Sequence, residues 1–157
     1  MPGLDIAEQR SWQNFLDSAL RLYATLNRSL VDEHHLTLND VRLLDILEKS
    51  PAGAARMGDL ADGLMSLPSR VTRQIRRLEM QGLVSRGASP DDGRGVLATI
   101  TNEGRALVSV AMVTYGDGVR THFLGRLSRP QIAAMGENCR RISVGLRGGA
   151  PSKLGRV

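Results

Sequence analysis

Hydrophobic positions along the chain fall into helical stripes interrupted once by two short strand-like runs. From about Glu8 to Val31, Trp12, Phe15, Leu16, Ala19, Leu22, Tyr23, Leu26 and Leu30 keep to one side of a helical wheel. At roughly 1.5 Å per residue this first helix is about 35 Å long, more than a compact unit of this size requires. The segment "TLND", Thr37 to Asp40, has the layout of a capping box, with Thr37 able to cap and Asp40 set against the positive helix end. The helix it opens turns Val41, Leu44 and Leu47 inward and stops before Pro51, where "SPAGAA" reads as a connector. "MGDLADGLM" is a short helix with Leu60, Ala61 and Leu64 on its apolar side.

After a tight turn comes "SLPSRVTRQIRRLEMQGLVSRGASPDDGRG", residues 66–95, a short helix carrying four arginines. Ile75 and Leu78 lie within about 40° of Val71 on the wheel, and the three anchor the helix to a core. Ser69, Thr72, Arg73 and Arg76 form an outward strip of donors with no acid among them, and Arg70 and Arg77 flank it. Gly82 suits the left-handed position that ends such a helix. "LVSRGAS" and "GVLATIT" are strand-like runs around the turn residues "PDDGRG". Thr101 restarts a helix that runs to about Leu127, and a last helix covers about Arg129 to Leu146. "ALVSVAMV", residues 106–113, is apolar on several faces and must be buried on several faces. With the long first helix, this favours packing against a second copy of the chain over a central helix in a monomer. The expected class is α+β, mostly helical.

Composition narrows the partners. The 157 residues carry a net charge of +5, and all but two of the 21 basic residues are arginine. Arginine makes planar, bidentate contacts to phosphates and guanines, which suits an acidic partner such as nucleic acid. A GC-rich genome choosing arginine codons gives the same bias. With few aromatic residues, the core must be aliphatic. No apolar run approaches the roughly 20 residues of a membrane span, "MPGLDIAEQR" lacks a signal-peptide layout, and the one cysteine, Cys139, forms no intrachain disulfide; a cytoplasmic protein is expected. "DEHH", residues 32–35, has no second spaced ligand pair to complete a metal site. No nucleophile elbow, phosphate loop or paired carboxylate suggests an enzyme, and no cofactor is expected.

Helix, turn, helix and hairpin in that order make a winged helix-turn-helix, and a helix of this width fits the major groove. "MGDLADGLMSLPSRVTRQIRRLEMQGLVSR", "PDDGRG" and "ATITNEGRAL" resemble, in order and spacing, the corresponding parts of the MarR (multiple antibiotic resistance regulator) family. The similarity covers residues 36 to 107 directly. It implies a homodimer in which the first, fifth and sixth helices interlock and two winged lobes grip a pseudo-palindromic operator. On this resemblance residues 1–35 are a dimerisation helix, 36–100 the DNA-binding lobe, 101–147 further dimerisation helices and 148–157 a flexible basic tail. Duplex DNA would meet Ser66, Pro68, Ser69, Arg70, Thr72, Arg73, Arg76 and Arg77. Arg94 in the wing would reach a minor groove or its phosphates, with Asp92 holding the wing's shape. Where the family usually has a capping Ser or Thr, this chain has Leu67 followed by Pro68, which leaves Ser66 as the candidate cap.

Many regulators of this kind take small aromatic acids or phenols. Trp12, Phe15, Arg21, His35 and Tyr115 are chemically suitable linings, against the simpler reading of Trp12, Phe15 and Tyr115 as dimer core. The expected function is a transcriptional repressor released by such a ligand. The alternatives are an activator or redox-responsive regulator of the same fold, in which Cys139 would have to be an accessible thiolate, or a protein–protein adaptor using the winged lobe.

Overall fold

The computed structural model describes residues 1–88 and 95–148. Asp92 and Arg94 lie outside the described residues. The chain divides into two compact units, Met1–Gly118 and Val119–Val157.

The first unit opens with helix α1 (Ile6–His34), longer at both ends than its apolar stripe predicts. Its start is set by a capping box of Asp5 and Glu8, each side chain accepting from the other's backbone N–H at 2.9 Å. Its end is set by His35, which takes a left-handed conformation with φ 57°. Only Leu26 and Leu30 of α1 are buried. Trp12, Phe15, Leu16, Leu20 and Tyr23 are exposed, so most of the predicted apolar stripe has no cover within the single chain. Helix α2 (Leu38–Lys49) is central: Val41, Leu43, Leu44 and Leu47 have no solvent exposure. Leu38 and Leu43 join the inward residues that the periodicity identifies.

The "SPAGAA" connector is more structured than expected. A 3-10 turn at Pro51–Gly53 leads into strand β1 (Ala54–Arg56), which pairs antiparallel with a later strand. Nothing in three short residues carries a strand signal of its own; the pairing partner makes the strand. Helix α3 (Met57–Gly63) and helix α4 (Pro68–Met80) follow, then strands β2 (Val84–Ala88) and β3 (Val96–Ile100). The sheet order is β1-β3-β2, with Ala98 of β3 opposite both Ala55 and Arg86. Helix–turn–helix plus an antiparallel hairpin is the winged lobe. Its core is aliphatic: Leu60, Val71, Ile75, Leu78 and Ala98 are fully buried beside the leucines of α2.

Helix α5 (Asn102–His122) ends earlier than Leu127; a 3-10 turn at Leu124–Arg126 intervenes, and Gly125 sits in it. The second unit holds the end of α5, that turn and helix α6 (Arg129–Gly148), on which Ile142, Val144 and Leu146 are exposed. Among the described residues no helix is long and apolar enough to cross a membrane.

The start of α5 is stapled to the turn after α4. Gly82 adopts φ 73°, a conformation glycine takes without strain, and this brings Leu83 back beneath α4 through a Leu83 N–H to Leu78 carbonyl bond of 3.0 Å. The Thr101 hydroxyl donates to the Gly82 carbonyl at 2.7 Å and accepts from the Gly104 amide at 3.0 Å. The Thr101 amide donates to the Leu83 carbonyl at 3.1 Å. Gly104 is buried against that same carbonyl, and a methyl added there would enter the oxygen's van der Waals shell and lie 2.9 Å from Ile100. Gly104→Ala gains about 1 kcal/mol of helix propensity but incurs an overpacking cost at the top of the usual range of roughly 1–3 kcal/mol, because the obstacle is backbone. A net loss of about 2 kcal/mol is expected, read as a lower urea midpoint with an unchanged slope.

Candidate nucleic-acid interface

Helix α4 begins with Leu67 in the N-cap position, and no side chain caps it. Ser66 therefore does not take the capping role expected of it. Its amide instead donates to the Ala61 carbonyl at 2.9 Å and closes the end of α3. Met65 makes the bend by adopting φ 50°, an uncommon conformation for a side chain with a Cβ. Pro68 at the first helical position has a pre-set φ and no N–H to satisfy, which is how the helix starts without a cap.

Val71, Ile75 and Leu78 are fully buried and fix which side of α4 faces the lobe. Pro68, Ser69, Arg70, Arg73 and Arg76 are exposed on the other side, with Thr72 half-buried between the two. Among the described residues Arg70, Arg73 and Arg76 make no ion pair. Three uncompensated guanidinium groups at successive spacings of three form a cationic ridge, while the one acid of the helix, Glu79, is taken by Arg86 of β2 at 2.6 Å. The Thr72 hydroxyl donates to the Pro68 carbonyl at 2.9 Å.

Arg77 is different. Sequence spacing puts it with the DNA-facing group, but its guanidinium is ion-paired with Asp40, 37 residues earlier. Asp40 has no solvent exposure and is the one charged side chain buried among the described residues. One of its oxygens accepts from the Thr37 amide at 2.8 Å and the Thr37 hydroxyl at 2.6 Å; the other accepts from Gln74 at 2.9 Å and from Arg77. The capping box of α2 is thus also a bridge to α4, a role that local spacing did not reveal. Burial pushes the Asp40 carboxyl up, but the hydrogen bonds from Arg77 and Thr37 and the Arg77 charge outweigh it and hold the group below its ordinary value.

The five candidate ligand residues are not gathered in one place. Trp12 and Phe15 meet, ring centroids 6.1 Å apart and tilted by 37°. Arg21 and His35 are both exposed and stand 14 positions apart along or just beyond α1, about 20 Å. Tyr115 is half-buried on α5 beside Thr114, whose hydroxyl lies 2.8 Å from His34 and donates to Glu33 at 3.0 Å. A cleft of about 230 Å³ opens elsewhere, between Tyr23, Asn39, Met65 and Arg70. Cys139 is half-buried on α6. Among the described residues no group of three His, Cys, Asp or Glu side chains could hold a metal ion.

The MarR family model matches residues 36–96 of this chain. An HTH-type transcriptional repressor of Mycobacterium tuberculosis is 36% identical over 98 residues, which cover 61% of this chain and 67% of the relative. Among solved structures, Sco3205, a MarR family transcriptional regulator from Streptomyces coelicolor in complex with DNA, superposes with a TM-score of 0.90 at 30% identity, over 100% of this chain and 97% of that one. BpsR of Bordetella bronchiseptica, whose DNA binding is regulated by 6-hydroxynicotinic acid, gives a TM-score of 0.78 at 25% identity, over 89% of this chain and 96% of that one.

Because the folded state holds Asp40 below its ordinary value, the pair contributes stability above the unfolded pKa of about 3.9, and that contribution is lost as pH falls through the folded value. Urea unfolding of the wild type and of Asp40→Asn, measured from pH 7 to pH 2.5, should differ by about 1–3 kcal/mol at neutral pH, with the gap starting to close near about pH 4 and narrowing further as the pH falls. A pH-independent gap between the two would mean that the Asp40 charge does not stabilise the fold.

Proposed function

The chain belongs to the MarR family, and on that premise we propose that it is a homodimeric transcriptional repressor that binds duplex DNA at a pseudo-palindromic operator and is released by a small anionic aromatic ligand. The observation that carries the DNA-binding part is the ridge of Arg70, Arg73 and Arg76, unpaired on a helix whose opposite side is locked into the lobe by Val71, Ile75 and Leu78. Laid in a major groove, such a helix offers bidentate donors to guanine O6 and N7, and Ser69 lets the backbone come close. By the family resemblance, Arg94 adds a minor-groove or phosphate contact on the flank and Asp92 helps to hold the wing's shape. The DNA-bound Sco3205 structure supports this use of the fold.

Dimerisation is supported by exposed apolar surface in each unit. Trp12, Phe15, Leu16 and Leu20 on α1, Val110 and Val113 on α5, and Ile142, Val144 and Leu146 on α6 are all open to solvent in the single chain. Large apolar side chains left open along a helix in this way mark an interface. Two lobes related by a two-fold axis would place their recognition helices about one DNA turn, roughly 34 Å, apart.

The ligand part rests on chemistry at two places rather than one. A benzoate-like carboxylate pairs with Arg21 or with His35, and its ring lies against Trp12, Phe15 or Tyr115, completed by the partner chain. The regulation of BpsR by 6-hydroxynicotinic acid, an aromatic acid, supports the class of ligand. Release follows only if the ligand prefers the lobe spacing that DNA does not accept.

Recognition helix and wing should fail differently. After selection of a duplex from a random library, Arg73→Ala should weaken binding by about 1–3 kcal/mol and relax preference at one position per half-site. Arg94→Ala should weaken binding to all sequences and lower the slope of log affinity against log salt by about one. Equal loss on every sequence for both variants would reduce Arg73 to a phosphate contact, and a wild type without salt-dependent affinity would favour the adaptor reading.

Benzoate binding measured calorimetrically with and without the selected duplex tests the ligand. A tenfold reciprocal weakening corresponds to about 1.4 kcal/mol of coupling, and Arg21→Ala should reduce the benzoate affinity. No heat at millimolar benzoate, or identical affinity in every sample, ends the ligand proposal and leaves DNA binding standing.

A further inference from the structure

Resting on the DNA-binding reading, we propose that Asp40 is a positioning residue for recognition: it fixes the roll of α4 and holds Arg77 back from the phosphate backbone, leaving Arg70, Arg73 and Arg76 as the helix's contacting cations.

Roll is the first consequence. The apolar residues Val71, Ile75 and Leu78 press α4 onto the lobe, but apolar contact is non-directional and tolerates small rotations about the helix axis. Gln74 and Arg77, one turn apart on one side of α4, both donate to a single Asp40 oxygen. The second oxygen is held by the Thr37 amide and hydroxyl at the start of α2. The carboxylate is therefore fixed to α2 before it grips α4, and a rotation of α4 would break two directional bonds at once. Rotation by even part of a turn would re-aim Arg73 and Arg76 along the groove floor, so base preference depends on this attachment.

Withholding a cation is the second. Arg77 flanks the ridge on a long side chain with part of its surface in water, and its ion pair with Asp40 draws the guanidinium toward the lobe. A shallow cleft of about 560 Å³ separates the start of α2 from α4, with Arg70, Arg73 and Arg77 on its walls and Asp40 beneath them. The carboxylate puts a negative charge under an otherwise cationic cleft and discourages phosphate from settling there. A buried ion pair of this sort stabilises a fold little more than a well-packed apolar pair would. An apolar pair would neither set a roll angle nor remove one positive charge from the DNA-facing side.

The test is the salt dependence of binding to the selected duplex and to a scrambled duplex of equal composition, for wild type, Asp40→Asn, Arg77→Gln and the double variant. Asp40→Asn frees Arg77, so its slope should steepen by about one on both duplexes. Its preference for the selected duplex should shrink by roughly tenfold as the roll loosens. The double variant should return to the wild-type slope while keeping the reduced preference. Arg77→Gln alone should also lose preference but leave the slope unchanged. A slope lowered by about one in Arg77→Gln would show that Arg77 already contacts phosphate in the wild type and would overturn the proposal. A folded Asp40→Asn with wild-type slope and preference would do the same. If Asp40→Asn does not fold, Arg77→Gln decides by itself. A wild type lacking salt-dependent affinity for either duplex removes the DNA-binding reading itself, whereas any of the variant failures above leaves that reading intact.

Discussion

A carboxylate taken entirely out of water is tolerated only when donors surround it, and Asp40 meets that condition by drawing on two helices at once. Thr37 supplies two donors from the start of α2, and Gln74 and Arg77 supply two from α4. The helix that carries the arginine ridge is therefore oriented by the first turn of the helix at the centre of the core. The leucines of α2 hold the lobe together, but Asp40 makes its assembly specific to one angle of α4.

The rest of the lobe is built to leave that helix undisturbed. Strand β3 lies between β1 and β2, so its backbone is bonded on both sides and the base of the hairpin has little freedom. Arg86 of β2 takes up Glu79 at the far end of α4. This exposed pair adds little stability, yet it removes the one acid of the helix from the neighbourhood of Arg73 and Arg76. Charge on α4 is thus sorted: negative groups are matched by arginines behind or beside the helix, and unmatched positive groups stand in front.

Much of this was legible in the residue pattern because it depends on local spacing. The periodicity of Val71, Ile75 and Leu78, the capping box of Thr37 and Asp40, the left-handed Gly82 and the two strand-like runs all act within a few residues, and the structure realises each of them. Features formed by distant segments were not legible. Strand β1 is an alanine-containing connector until β3 lies beside it. Arg77 looks like its neighbours Arg73 and Arg76 until a carboxylate 37 residues away claims it. One signal is present in the pattern: Asp40 stands three, four and seven residues before Leu43, Leu44 and Leu47, on the inward side of α2. The apolar stripe of α1 is plain in the residue pattern, but a single chain covers only its last part.

The contact between Gly104 and the Leu83 carbonyl has a mechanical meaning. Where side chains separate two elements, a shift of one is absorbed by rotamer changes before it reaches the other. Here backbone touches backbone, and Thr101 bonds the same turn through both its hydroxyl and its amide. The first turn of α5 and the last turn of α4 consequently behave as one stiff joint. A small tilt of α5 at its Asn102 end would be delivered to α4 almost without slack, like motion through a rigid coupling rather than a spring.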